Sequence, residues 1–261
     1  MGAQFKWLRK RKRLYSMSKR LRKELEMNYS LKLKILISSA ALFIAACTTD
    51  SGESSVVDDF DASVVCPAEG TNAYGMPNRG TFVDERDGQE YKYTTIGEQV
   101  WMAENLNYNA VGSICQGKDE SKCELYGRLY RYTWPDRNTG RDTINWDFID
   151  SVCPPGWHLP KLAEWEKLAS YVGGMDSEIA ASRLKSVDGW ENSKWGAGID
   201  VCGFSVLPGG LYTYEEGFVG IVGFFLTATA EYENMNKYIA FEDIMESGFG
   251  KNDYSVRCIK E

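Results

Sequence analysis

The stretch Cys153-Pro154-Pro155-Gly156-Trp157-His158-Leu159-Pro160, running into Lys161-Leu162-Ala163-Glu164-Trp165-Glu166-Lys167-Leu168, limits most sharply what this chain can fold into. Two consecutive prolines fix φ and withhold two backbone donors, so neither a central strand nor a helix interior passes through them. Gly156 then permits a tight turn, and Trp157 follows as a large apolar anchor. Pro160 stands at a helix start, where a missing N–H costs nothing. Leu162, Trp165, Leu168, Ala169 and Val172 recur at spacings of three and four. That spacing predicts one face of an amphipathic helix over 161–172, stopped by Gly173-Gly174. The block reads as a structural clamp and contains no evident catalytic machinery.

The segments on either side of this clamp read mostly as strands and turns. Glu90-Tyr91-Lys92-Tyr93-Thr94-Thr95-Ile96 alternates and is rich in β-formers, Gly97-Glu98 turns it, and Gln99-Val100-Trp101-Met102 returns. This predicts a β-hairpin, with a shorter strand at Thr81-Phe82-Val83 and a turn at Arg86-Asp87-Gly88-Gln89. Tyr132, Trp134 and Trp146 surround a predicted short helix and loop. A second helix is predicted after Asp176 as N-cap, with Glu178 in its first turn and Ile179, Ala180 and Leu184 inward. Strands follow at 223–229, 238–241 and 254–259. Two short helices followed by twisted antiparallel sheets make the class α+β.

The chain starts with a different chemistry. Residues 35–46 form a twelve-residue apolar run, too short for the about 20 residues a spanning helix needs. Lys32 and Lys34 precede the run and small residues end it, the arrangement of a secretory signal. Its end, Ile44-Ala45-Ala46-Cys47, resembles the bacterial lipobox. The resemblance implies cleavage before Cys47 and a lipid on its sulfur. The basic runs Arg9–Arg13 and Lys19–Lys23 exceed what a signal needs, and Met27 opens an ordinary one, so the start is expected at Met27. Residues 1–46 are thus assigned to a basic extension plus lipoprotein signal peptide, 47–65 to a lipidated flexible tether of small polar residues, and 66–261 to a folded domain. A membrane contact through the N-terminal lipid, in the cell envelope and on the outer membrane, is the expected localisation, whether surface-exposed or periplasmic.

Charge follows the same division. From Cys47 onward there are 18 basic and 35 acidic residues, a net charge of −17, whereas the whole chain carries −7. Such a body repels nucleic acid, which is excluded as a partner. One histidine in 261 residues speaks against a histidine-based metal centre or triad. No CxxC spacing occurs, which speaks against zinc, and no metal site or cofactor is assigned, although the acidity leaves calcium open.

Six cysteines remain after Cys47, an even number in an oxidising compartment, which predicts three disulfides. Cys115 and Cys123 enclose the polar loop 116–122 and pair locally. Cys153 and Cys258 would tie the helix entry to the last apolar stretch. Cys66 with Cys202 follows by elimination only.

Six blocks then occur in order: Asp87-Gly88-Gln89-Glu90-Tyr91, the run from Ile96 to Leu106, Tyr126-Gly127-Arg128-Leu129-Tyr130, the proline-rich clamp, Gly203-Phe204-Ser205-Val206-Leu207-Pro208-Gly209-Gly210, and Tyr254-Ser255-Val256-Arg257-Cys258. Over 81–261 they resemble the Fibrobacter succinogenes major paralogous domain, a family of bacterial surface and secreted proteins. That family in turn looks like a branch of the C-type lectin-like fold, near the formylglycine-generating enzymes. The resemblance implies a fold and no activity. The Glu-Pro-Asn, Gln-Pro-Asp and Trp-Asn-Asp signatures of calcium-dependent sugar binding are absent; Trp134-Pro135-Asp136 and Trp146-Asp147 only echo them. A formylglycine-generating site needs a pair of reactive cysteines late in the fold, where this chain has the distant Cys202 and Cys258. Lys161 replaces the small or hydroxyl residue that often follows Leu-Pro, which puts the helix cap in question.

The remaining candidates divide by chemistry. His158 is expected to be structural, and Glu164 and Glu166 to cap or pair rather than act as opposed glycosidase carboxylates. Trp101, Trp157 and Trp165 belong to the core. Trp190 and Trp195 lie in a Gly/Ser/Asn-rich segment and are the candidates for stacking on sugar. The expected function is a non-catalytic binding or adhesion module whose ligand is a polysaccharide or a surface protein. The alternatives are a structural envelope protein and an enzyme with an unrecognised site.

Overall fold

The computed structural model of the protein describes residues 59–135, 142–191, 197–212, 216–229 and 235–261. Its largest sheet is built where the alternation is clearest. Strand β1 (Arg79–Val83) pairs with β2 (Glu90–Ile96), and β2 with β3 (Gln99–Met102), all antiparallel. Ile96 faces Gln99, so Gly97-Glu98 is a two-residue turn with Gly97 at φ +57°. A Cβ on Gly97 would be driven into the ring of Tyr171, so both the turn and the packing require glycine here. Beyond β3 the order is β12 (Ile259–Lys260) and then β6 (Trp157–His158). The last strand of the chain therefore lies between the early hairpin and the proline-rich clamp, with Ile259 opposite both Trp101 and His158.

The described helices are α1 (Ala62–Val65), α2 (Glu120–Tyr126), α3 (Trp146–Ser151), α4 (Leu162–Val172) and α5 (Glu178–Leu184). Short pairs β4 (Thr133–Pro135) with β5 (Asp142–Ile144), and β7 (Leu211–Tyr212) with β8 (Glu216–Gly217), stand apart. A second sheet has the order β11 (Met245–Gly250), β10 (Asn236–Phe241), β9 (Gly223–Leu226). The class is α+β with antiparallel sheets, as the sequence predicts.

Two aromatic cores flank these sheets. Helix α4 turns Trp165, Leu168, Ala169 and Val172 inward, and Trp165 packs on Trp101 at 4.7 Å, Phe225 at 5.4 Å, and Phe204 and Phe241 at 6.1 Å. The other core gathers Tyr91, Tyr93, Met102, Tyr130, Tyr132, Trp157, Tyr254 and Val256. Emptying the Trp165 site would cost roughly 3–5 kcal/mol.

The C-terminal segment runs through the middle of both cores. Tyr254 exchanges backbone bonds with Tyr130, Ser255 pairs with the β9 backbone, Val256 accepts from Leu106 N–H and Cys258 from Met102 N–H. Within this segment Arg257 is fully buried. Its guanidinium donates to Asn105 Oδ1 at 2.9 Å, to Ser205 O at 2.6 Å and to Phe204 O, and lies 4.6 Å over the Phe204 ring. Burial disfavours its charge, and the Asp200 carboxylate favours it. The cation ties its own segment to acceptors on two others, so its geometry fixes how they meet.

Three disulfides staple the domain: Cys66–Cys202, Cys115–Cys123 and Cys153–Cys258. These are the pairings expected from the sequence. The last one joins the clamp to the buried C-terminal segment.

The structure corrects several local expectations. The ordered fold opens before residue 66: Asp61 caps α1, Val65 O accepts from Gly97 N–H, and the Phe60 ring lies 3.8 Å from the Arg183 guanidinium. Five helices are described: besides the two main ones and the short one at Trp146–Ser151, α1 and α2 were not expected from the sequence. Ser177, and not Asp176, caps α5 through its hydroxyl. Strand β11 is not among the strands the sequence predicts, because its two glycines depress β propensity. Gly248 lies opposite Tyr238, whose ring occupies the space a Cβ would need. Gly80 lies opposite Tyr93 in the same way. In both sheets a cross-strand tyrosine covers a glycine and recovers the packing that residue lacks.

Candidate functional site

The clamp's polar residues are occupied with structure. Glu164 Oε2 accepts from the Lys161 N–H at 2.8 Å, and Oε1 meets His158 Nε2 at 2.8 Å. One carboxylate therefore closes the start of α4 and ties it to β6. A lysine side chain cannot accept a hydrogen bond, so residue 161 leaves the cap to Glu164 and to Thr229, whose Oγ1 accepts from Leu162 N–H at 2.8 Å. Burial acts to raise the Glu164 carboxyl, but the bonds from His158 and Lys161 outweigh it, and the group titrates below its ordinary value. Glu166 is exposed, so the two carboxylates do not converge on one point.

Trp101, Trp157 and Trp165 are core residues, each 6% exposed or less. Trp190 is half-buried, and the Lys185 Nζ stands 4.0 Å over its ring. Its indole N–H donates to Ser186 Oγ at 3.0 Å. The Lys185 ammonium is itself buried and donates to Glu242 O at 3.0 Å. Trp190 thus shields a desolvated cation, and that ring face is not available to a sugar. Trp195 and Cys47 lie outside the described residues.

Trp146 faces solvent, at 58% exposure. It opens α3, and its position is fixed at both ends of that helix. Asn145 Oδ1 caps the start through the Phe148 N–H at 3.1 Å, and Asn145 N–H donates to Tyr132 O at 2.7 Å. At the other end Arg86 Nη1 donates to Ser151 O at 2.9 Å and to Val152 O at 3.0 Å. Arg86 is held in turn by the fully buried Asp84 at 2.7 Å, and its guanidinium lies 3.9 Å from the centre of the Tyr108 ring. Phe148 and Ile149 face the core, while Trp146, Asp147 and Asp150 face outward. The arrangement is an indole in solvent with two exposed carboxylates on the same short helix, and that helix is held at both ends. The sequence hides it, since Trp146-Asp147 sits in a stretch with no periodicity.

Two further clusters hold ionisable groups. Asp253, 3% exposed, meets Arg131 Nε at 2.7 Å, and burial pushes its carboxyl up to about 6 against the pull of that guanidinium. Cys115, Glu120 and Cys123 bring ligand atoms within 4.8 Å of one another, but both sulfurs are consumed by a disulfide and neither is a thiolate that could bind metal. Among the described residues no helix is long and apolar enough to cross a membrane.

Residues 94–260 match the family model described as the Fibrobacter succinogenes major domain. No curated protein and no solved structure matches the chain.

Proposed function

The chain belongs to the Fibrobacter succinogenes major domain family, and from that premise we propose that it is a lipid-anchored, non-catalytic binding module of the bacterial envelope whose ligand class is polysaccharide. The observation that carries the ligand class is Trp146, an indole 58% exposed on a helix clamped at both ends. A large flat ring in water on a helix clamped at both ends offers a face on which the apolar side of a sugar can stack. The lipobox at Ile44–Cys47 supports the anchor. The mature chain's net charge of −17 favours neutral glycans over anionic lipid or nucleic acid as the thing bound.

The finer fold reading is part of this proposal. A C-type lectin-like fold is supported by the return of the C-terminal strand between an early hairpin and the helix entry, and by the second small sheet joined to the same C-terminal segment. A structural envelope role is the second reading, favoured by the three disulfides and the buried C-terminal segment that knit the domain together.

Retention of the mature chain on insoluble cellulose and on a cell-wall glycan array tests the reading. Wild type is expected to be retained, and Trp146→Ala to lose about tenfold or more in affinity, the loss of one stacked aromatic. Retention unchanged by W146A would remove the stacking platform, and a folded wild type that binds no glycan would leave the structural role. Incorporation of labelled palmitate into wild type and not into Cys47→Ser checks the anchor in the same cells.

A further inference from the structure

The Cys115–Cys123 disulfide differs from the other two in what surrounds it. Arg128 Nη1 donates to Cys115 Sγ at 3.1 Å and to Cys123 Sγ at 3.6 Å. Arg128 is 8% exposed, and its carboxylate partner, Glu120, is 3.5 Å from Nη2 with its own side chain 79% in water. A desolvated guanidinium that is paired with a solvated carboxylate, and aimed at two sulfurs, would gain most from a negative charge appearing on sulfur. Thiolates are that charge, and a cation beside a cysteine lowers its thiol pKa.

The loop closed by this bond supports the same inference independently. It contains Gly117 at φ +64° and Lys118 at φ +61°, so a side-chain-bearing residue is held in the left-handed region. Cys115 and Cys123 are themselves only 2% and 4% exposed, but residues 117–121 between them are exposed, so the approach to the sulfurs is through one short loop; Cys66–Cys202 and Cys153–Cys258 join segments inside the two cores. The sequence separation is 8, against 136 and 105 for the others, so opening this bond releases only the 115–123 segment, which Gln116 still holds through its bonds to Gly209 O and Leu211 O, and leaves the other two cross-links in place.

We propose that Cys115–Cys123 is a thiol-exchange site, activated by Arg128 and opened by a small thiol or dithiol while the rest of the domain stays folded. The incoming thiolate attacks Cys123 Sγ, a new S–S bond forms there, and the Cys115–Cys123 bond breaks. The electron pair leaves on Cys115, the sulfur nearer Arg128, as a thiolate paired with the guanidinium. A second thiolate, or the other sulfur of a dithiol, then attacks the reductant's sulfur in the mixed disulfide. Cys123 departs as the second thiolate and the reductant leaves as a disulfide. The cysteine pair has gained two electrons and the reductant has lost two.

Graded dithiothreitol followed by iodoacetamide and peptide mass spectrometry tests this on the whole chain. Cys115 and Cys123 are expected to be alkylated at dithiothreitol concentrations that leave the other four cysteines oxidised and the near-ultraviolet circular dichroism unchanged. Arg128→Gln is expected to need about tenfold more dithiothreitol, with Arg128→Lys in between. Alkylation of any other pair first, or loss of tertiary signal in step with opening, overturns the proposal. R128Q opening at the wild-type concentration does the same. Should R128Q fail to fold, the reduced wild type decides. Its alkylation rate should reach half-maximum below the ordinary thiol value of about 8.5, and a midpoint at or above that value sinks the activation by Arg128.

Discussion

Arg257 and Asp253, four residues apart in one buried segment, show two solutions to the same problem. Arg257 satisfies its charge with neutral acceptors, an amide and two carbonyls, and with aromatic faces, so its burial is compensated by geometry. Asp253 faces the Arg131 guanidinium, which is itself 38% exposed, and desolvation wins. Its folded value of about 6 lies above the 3.8 of an unfolded aspartate. A raised carboxyl binds its proton more tightly in the folded state, so its contribution is fully present below the unfolded value. It is lost as pH rises through the folded value. Between pH 4.5 and 7.5 wild type should therefore lose about 2 kcal/mol of stability relative to Asp253→Asn, the part of the shift that falls inside this window. Urea midpoints of the two proteins taken across that range measure the difference directly. Parallel curves would show that Asp253 does not titrate in this window. Glu164 works in the opposite direction and at lower pH. Its lowered value makes its contribution present above the unfolded carboxyl range and lost as acid drives pH through the folded value. The two groups thus pull stability in opposite senses over adjoining ranges.

At the scale of elements, the disulfides close loops of very different length. Chain-entropy reasoning assigns roughly 2–3 kcal/mol to the local Cys115–Cys123 bond and roughly 4–5 kcal/mol to Cys153–Cys258. Replacing each pair by alanine should reproduce that ordering in thermal or urea unfolding, and equal losses would mean that native packing around the sulfurs outweighs loop length. The hairpin over 90–102 was legible because alternation and a turn glycine agree, and α4 because five apolar residues share one face. Strand β11 was not, since its glycines make sense only beside Tyr238 and Tyr254. The surroundings of Trp190 were hidden for a related reason. A Gly/Ser/Asn-rich stretch suggests exposure, but Lys185, at the end of α5, covers one face of the ring. Trp146 could be placed only once Arg86 was seen to hold the far end of its helix, because a partner that distant in the chain leaves no local pattern.

For the whole molecule, the decisive feature is the path of the C-terminus. Residues 253–259 are each no more than 3% exposed, and in order they touch Tyr130, β9, Leu106, the Phe204–Ser205 backbone, β3 and β6. Both cores and both larger sheets are joined through this one segment. The early hairpin therefore cannot complete its sheet until residues 259–260, far away in sequence, reach β3. The other end of the domain is different: α1 contains no fully buried residue and is four residues long. Ending the chain before Asp253 should abolish the domain as a cooperative unit. The apolar burial, buried hydrogen bonds and disulfide that this segment supplies together outweigh the roughly 5–15 kcal/mol by which such a domain is stable. The expected result is no near-ultraviolet circular dichroism signal and no sigmoidal urea transition. Deleting 1–58 should leave both intact. A truncated chain that still unfolds in one sharp transition would mean that the two cores are stable apart, and that the C-terminal segment closes a structure already formed rather than creating it.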